Sequence, residues 1–317
     1  MFNYVYIFYL KYFAQLNTKY HSVFDYQILL LVCDSTLRSL SNESVEMIKI
    51  LYNYLFRFFF LITFILSLST AQDKDSSPYS FSNDIDLTIA GLSGSLLLGS
   101  MLMSYESMDL NDISSLDPDD ISAFDSKAID NWNLNSMKMS DLLLFSSIAA
   151  PGLLMIDKKI RNDYRNFSLI WAESIFLALG ITNFTKVLVG RPRPYLYGDN
   201  ASNDYKLKKD NKKSFFSGHT SITAVSWFVM ASMYDDYQPE STISSYLWAS
   251  AFLIPAYTAY CRYDAGKHFP SDLIAGYLIG GAVGVLVPKW HTKSSKVNIS
   301  FSLQPSGKIK TRLAYRF

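Results

Sequence analysis

Six apolar stretches divided by short polar breaks dominate the chain between residues 86 and 288. They cover roughly 86–105, 140–156, 167–190, 217–234, 245–261 and 272–288, each about 15 to 24 residues long. A full membrane span wants about 20 residues, with about 17 as a practical lower limit. Several stretches are therefore marginal, and Glu173 and Asn183 interrupt the third. Gly276, Gly280, Gly281 and Gly284 in the sixth would weaken a soluble helix, yet they let packed membrane helices approach closely. The expected fold is all-α: a bundle of about six helices, multi-pass transmembrane, with a soluble helical bundle as the alternative.

The two ends read differently. Around Met47, Lys49 and Arg57 precede an apolar run from Phe58 to Leu68, and Ser69-Thr70-Ala71-Gln72 follows. This is the layout of a secretory signal peptide over 47–71, or of an uncleaved signal anchor. Residues 1–46 are then a doubtful N-terminal extension, with Met47 as the true start. The tail, 291–317, is a basic linker followed by two runs of alternating apolar and polar residues around Pro305-Ser306-Gly307. That pattern predicts a short β-hairpin. A terminal Phe317 after alternation also suits the last strand of an outer-membrane barrel, but two strands cannot close one. A net charge of +1 gives no global field for nucleic acid. Of the two cysteines, Cys33 and Cys261, only the second remains if the leader is lost, which excludes an internal disulfide.

Between the first two stretches, within 72–138, lies an acidic loop carrying Asp109, Asp112, Asp117, Asp119, Asp120, Asp125 and Asp130. It lacks the glycine and terminal glutamate of a calcium loop and reads as a solvated connector. The basic turn Asp157 to Arg161, and Lys289, His291, Lys293 and Lys296, belong in the cytoplasm by the positive-inside rule. The ends of stretches three and five and the starts of stretches four and six then share the outer face. One conflict remains: cleavage at Ala71 would put residue 72 outside and invert that order.

Three short runs within 139–290 carry chemistry. The first is Lys186-x6-Arg193-Pro194, with an alternative frame on Arg191-Pro192 ranked second. Pro192 and Pro194 end a helix near Gly190, so Lys186 sits on its last turn while Arg193 turns back from the loop. The second is Ser217-Gly218-His219, where Ser217 is a good N-cap and helix-terminal N–H groups point at bound anions. The third is Arg262-x5-His268-x3-Asp272, with Pro270 placed for the first turn of a helix and Asp272 within reach of the imidazole. A phosphoryl group in flight spreads charge over three oxygens and needs several fixed donors. Lys186, Arg193 and Arg262 supply them, and His219 is placed to protonate a departing oxygen. A carboxylate on one nitrogen of His268 would fix the tautomer and leave the other free to attack phosphorus. Each run alone has a plain reading as a helix cap or an interfacial anchor.

In order and on one face, these runs resemble the type 2 phosphatidic acid phosphatase (PAP2) superfamily, which includes bacterial acid phosphatases and vanadium haloperoxidases. The resemblance covers about 140–290. It departs from the family pattern at Phe216, where a proline is usual, and at Cys261, where a serine precedes Arg262. It implies His268 as nucleophile, His219 as general acid and Asp272 as orienter. It further implies Lys186, Arg193, Ser217, Gly218 and Arg262 as phosphate ligands, with no metal and no other cofactor. The expected function is hydrolysis of lipid phosphate monoesters or diphosphates through a phosphohistidine, at the periplasmic face of a bacterial cell membrane. The partners expected are the phosphorylated lipid and the membrane, with no nucleic acid. Alternatives are a soluble periplasmic acid phosphatase, a vanadium-dependent haloperoxidase and a non-catalytic bundle that binds anionic headgroups. Lys206, Lys208, Lys209, Lys212 and Lys213 either gather anionic headgroups or form a solvated loop, and Lys267 either biases substrate charge or faces solvent.

Overall fold

The computed structural model describes residues 77–103, 106–293, 297–303 and 309–315. The extension, the signal segment and the leader's cleavage point lie outside the described residues.

Among the described residues there are nine α-helices. Six are long: α1 (Asn83–Leu102), α3 (Leu134–Ala149), α5 (Tyr164–Val189), α7 (Gly218–Tyr237), α8 (Thr242–Asp264) and α9 (Pro270–His291). Short helices α2 (Leu110–Ser114), α4 (Lys158–Asn162) and α6 (Asn203–Lys206) sit in the connections, with 3-10 turns such as Ala150–Ile156 and Pro194–Leu196. The boundaries follow local chemistry. Ser217 caps α7, its Oγ accepting the Thr220 N–H, and Pro270 opens α9 where its missing N–H costs nothing. Gly190 ends α5 in the left-handed region at φ 56, its N–H bonded to the Lys186 carbonyl.

The six apolar stretches each became a long helix, but only four are long and apolar enough to cross a membrane. These are Asp84–Leu102, Leu134–Ile156, Tyr164–Leu196 and Pro270–His291. The fourth and fifth stretches, in α7 and α8, fall short of that measure for different reasons. Helix α7 is the axis of the bundle, buried along most of its length, so Thr220, Ser221, Thr223, Ser226 and Ser232 meet protein. Helix α8 is rich in Ser, Thr and Tyr, yet it turns Tyr246, Phe252, Leu253, Tyr257 and Tyr260 outward. With Leu92, Leu98, Leu142, Phe145, Leu188, Ile274 and Leu278 these form an exposed apolar surface of the kind a bilayer covers.

Helix α9 lies against α7 along a seam of glycines. A Cβ on Gly276 would stand 2.6 Å from the Ser217 carbonyl oxygen, and one on Gly280 would collide with that of Ser221. One on Gly284 would meet the Phe228 Cβ at 2.7 Å. Spaced four apart, the three line one face of the helix, so backbone meets backbone as membrane helices do at small-residue contacts. The register is closed at one end by the Ser217 N–H, which donates to the Asp272 carbonyl at 3.0 Å.

At the opposite end, α1, α5 and α9 are tied by a polar triad. His291 donates from Nδ1 to the Val287 carbonyl at 2.8 Å, and its Nε2 lies 2.9 Å from Asp86 and 3.1 Å from Glu173. The three side chains are mostly or wholly buried. The basic turn at Lys159 and residues Tyr79, Asp236 and Lys293 share this end, through Lys159–Gln238, Tyr79–Asp236 and Lys293–Pro78 bonds.

The glycine seam makes a clear demand on stability. Gly280→Ala is expected to destabilise the protein by about 1–3 kcal/mol, because the new methyl must push two backbones apart. Gly91→Ala, with nothing within 4 Å of the added carbon, should be neutral or slightly stabilising. Thermal unfolding of both variants in the same detergent checks the pair; equal melting temperatures would contradict the seam.

Candidate active site

Four helix ends meet at the pole away from His291. The end of α5 brings Lys186, and the start of α7 brings Ser217, Gly218 and His219. The end of α8 brings Arg262, and the start of α9 brings His268 and Asp272. The first turns of α3 add Ser140 and Asp141. All eight residues singled out from the sequence lie at this pole, and all but Gly218 and His219 are buried.

His268 is 1 % exposed, and its Nδ1 lies 2.8 Å from the Ser214 carbonyl oxygen. A carbonyl only accepts, so Nδ1 carries the proton and Nε2 keeps its lone pair. The direct carboxylate contact expected from the Asp272 spacing is not what orients the ring. The nearest Asp272 oxygen is 3.7 Å from Nδ1. That carboxylate instead accepts from the Ser214 hydroxyl at 2.5 Å, the Phe269 N–H at 3.0 Å and Arg191 at 2.6 Å. At the third position of its helix, the carboxylate reaches back to the helix start more easily than to the preceding loop's imidazole. Asp272 thus holds Ser214, and Ser214 holds the imidazole.

Arg191 and Arg193 divide the work of the first run. Arg191 bridges Asp272 and Asp125, at 2.6 and 2.8 Å, and lies over the Phe269 ring at 4.1 Å. Asp125 is almost fully buried and also accepts the Ser271 N–H at 3.0 Å and hydroxyl at 2.6 Å. The acidic loop is therefore not only a solvated connector, since one of its carboxylates docks on the first turn of α9. Burial pushes that carboxyl up, but Arg191 and Ser271 more than offset this and hold it below its usual range. Arg193 bonds the Asp210 carbonyl and carboxylate at 2.9 and 2.8 Å and the Lys267 carbonyl at 3.2 Å.

Lys186 donates to the Lys213 carbonyl at 2.6 Å. Arg262 reaches the Ser140 hydroxyl at 3.2 Å, while its buried Nε has no acceptor among the described residues. A buried donor without a partner is rare and points to a ligand or water. His219 Nε2 lies 2.8 Å from the Asp141 carboxylate, which is also 3.8 Å from Arg262. Asp141 escaped the sequence reading, as did Asp125, Arg191's bridge and Ser214. An acid at the head of an apolar stretch was the only signal for Asp141.

Cations outnumber anions here, and the field acts on what they surround. Burial first, then the charges of Lys186, Arg193 and Arg262, hold the His268 imidazole well below its usual range, so the ring is neutral. Lys267 is 3 % exposed and does not face solvent. Burial, then Arg193 and Arg262, push its ammonium down to about 6.

Residues 167–296 match the family model described as PAP2 superfamily. The match contains all eight residues named above and leaves out α1, α3 and the acidic loop. No solved structure matches the chain.

The depressed groups give stability a definite pH dependence. Between about 6 and the ordinary lysine value the unfolded chain binds a proton on Lys267 that the folded protein releases. The contribution of Lys267 to the stability of the ligand-free protein should therefore rise with pH from about 6 to 9, by up to about 1.4 kcal/mol per unit, read as the difference between wild type and Lys267→Met. Lys267→Met should flatten this rise and raise the melting temperature near pH 6.5. A slope unchanged by the substitution would contradict a buried, depressed Lys267.

Proposed function

Since the chain carries a PAP2 superfamily domain over residues 167–296, for which phosphatase or phosphoesterase chemistry is the general expectation, we propose a membrane-bound phosphatase. It cleaves lipid phosphate monoesters or diphosphates through a phosphohistidine on His268. The observation that carries this reading is the His268 ring: Nδ1 is committed to the Ser214 carbonyl, and a buried, neutral Nε2 lies among Lys186, Arg193 and Arg262.

In the first step Nε2 attacks phosphorus and forms a P–N bond while the ester P–O bond breaks. The electron pair stays on the departing oxygen, which takes a proton from His219. Burial, then Arg262, Arg193 and Lys186, push that ring down to about 2 in the free site, so it takes up its proton as the anionic substrate binds and offsets those charges. In the second, water attacks phosphorus, gives its proton to His219, and the P–N electrons return to Nε2. The negative oxygens of both transition states are held by Lys186, Arg193, Arg262 and the N–H groups that open α7. Asp272, Arg191 and Asp125 act at a distance by fixing Ser214. Asp141 keeps the His219 ring in place beside Arg262. The residues supply nucleophile, acid and counter-charge without a metal.

A lipid substrate is favoured by the four apolar helices and the exposed apolar surface around them. We place the site at the outer, periplasmic face of a bacterial membrane. The basic turn at Lys159 and the run at Lys289 and Lys293 share the other pole, which the positive-inside rule assigns to the cytoplasm. Helix α1 starts at that same pole, where Tyr79 pairs with Asp236 and the Ser80 N–H with the His291 carbonyl. The tail, whose backbone runs as antiparallel strands Val297–Leu303 and Ile309–Tyr315, is kept as an appended β-hairpin.

The expected outcome is phosphate release from a lipid phosphate by detergent-purified protein in the presence of a chelator. His268→Ala should abolish it, and His219→Ala should lower kcat by roughly a hundredfold or more. Quench into alkaline detergent, which preserves a P–N bond, should trap label from 32P-labelled substrate on the wild type and none on His268→Ala. Turnover that survives in His268→Ala would overturn the mechanism. Peroxide-dependent bromination with added vanadate, without phosphate release, would move the chain to the haloperoxidase branch.

A further inference from the structure

The site holds more positive charge than one phosphoryl group needs, and the surplus is built in. Lys267 precedes the nucleophile directly. Its backbone is fixed at both ends, the N–H on the Arg262 carbonyl at 3.0 Å and the carbonyl under Arg193 at 3.2 Å. Its side chain is buried, with Nζ 3.9 Å from the Tyr205 ring centre, 4.6 Å from Tyr195 and 5.8 Å from Trp132. The three rings meet edge to face, with centroids 4.6 to 5.6 Å apart, and the Tyr205 hydroxyl bonds Met137. This is a rigid box, formed before any ligand arrives.

Rings attract an ammonium but do not replace strong acceptors for its three N–H groups. Among the described residues no acceptor bonds Lys267 Nζ. The nearby carboxylate, Asp210, is taken by Arg193 at 2.8 Å, and a second lysine, Lys208, lies 3.7 Å from the Tyr205 ring centre. Holding a cation dry among cations is costly, and a structural lysine would be better replaced by an apolar residue. The charge is worth keeping only if an anion comes to it. The primary phosphate site already has Lys186, Arg193 and Arg262.

Resting on the phosphatase reading, we propose that Lys267 reads a second phosphate group bonded to the one His268 takes, so that the site prefers diphosphates to monophosphates of the same alcohol. The terminal phosphoryl then passes to Nε2. The bridging P–O bond breaks and its electron pair stays on the inner phosphate, whose growing charge lies against the Lys267 ammonium. The aromatic box offers Nζ no competing acceptor, so the amine takes up its proton as the anion arrives and keeps its donors for that charge.

The test compares an isoprenyl diphosphate with the isoprenyl monophosphate of equal chain length, for wild type, Lys267→Met and Lys267→Arg. Lys267→Met should lose about tenfold to a hundredfold in kcat/KM on the diphosphate, the worth of one charge-assisted hydrogen bond. On the monophosphate it should lose less than about threefold, and Lys267→Arg should keep most of the preference. Equal losses on both substrates, or none on either, overturn the proposal. A second readout does not need turnover: protection against thermal unfolding by inorganic pyrophosphate and by orthophosphate, in a His268→Ala background. Pyrophosphate should protect better, and adding Lys267→Met should remove only that advantage. If the wild type releases no phosphate at all, the phosphatase reading falls, while the pyrophosphate comparison still decides for or against Lys267.

Discussion

The contact on which the rest depends is the backbone-to-backbone seam between α7 and α9. His219 opens one of these helices and His268 immediately precedes the other. The distance between the proposed acid and the proposed nucleophile is therefore set by how closely two helices can approach. Gly276 and Gly280 let the Ser217 and Ser221 carbonyls come where a Cβ would otherwise stand. The Ser217 N–H to Asp272 carbonyl bond then fixes the register at the site itself. In a bilayer no hydrophobic force drives helices together, so close packing of this kind carries more of the load than in water.

Around that seam the electrostatics are deliberately unbalanced. Asp125, Asp210 and Asp272 are each engaged by arginine, which leaves Asp141 beside His219 as the one further carboxylate bonded to a site histidine among the described residues, against Lys186, Arg262 and Lys267. Two consequences oppose one another. Buried cations lower the stability of the ligand-free protein, and burial together with those cations keeps the His268 imidazole unprotonated. Binding an anionic group relieves the first without surrendering the second. A site of this kind trades stability for charge placed in advance, which is how fixed dipoles and cations lower a barrier without reorganising during reaction.

The sequence made the long helices, the three runs and their shared pole legible, because each rests on local chemistry. Apolar length marked the helices, Ser217 and Pro270 marked two of their starts, and Gly190 marked an end. Long-range partners were not legible. Asp272 was expected on His268 from spacing alone, yet its oxygens go to Ser214, 58 positions away, and to Arg191, 81 positions away. Nothing local distinguishes Asp125 from six neighbouring acids that lack its buried bonds to Arg191 and Ser271. Helix α7 was legible as an apolar stretch, but its central place was not. Its hydroxyls lower its apolar character because it meets protein on nearly every side, and hydropathy registers polarity without regard to what surrounds it.

These long-range bonds also bear on where the functional unit ends. The family match begins at residue 167, yet the site draws on residues before it. Asp141 and Ser140 contact His219 and Arg262, Asp125 completes the Arg191 bridge, and Asp86 faces His291 at the far pole. Removing α1, α3 and the acidic loop would leave His219, His291, Arg191 and Arg262 without these partners, and the cost is largest at His291, which is fully buried. It would also strip the faces that α1 and α3 cover on α5 and α7. The matched segment carries the proposed reacting groups, and the preceding residues carry carboxylates that pair with its imidazoles and guanidiniums.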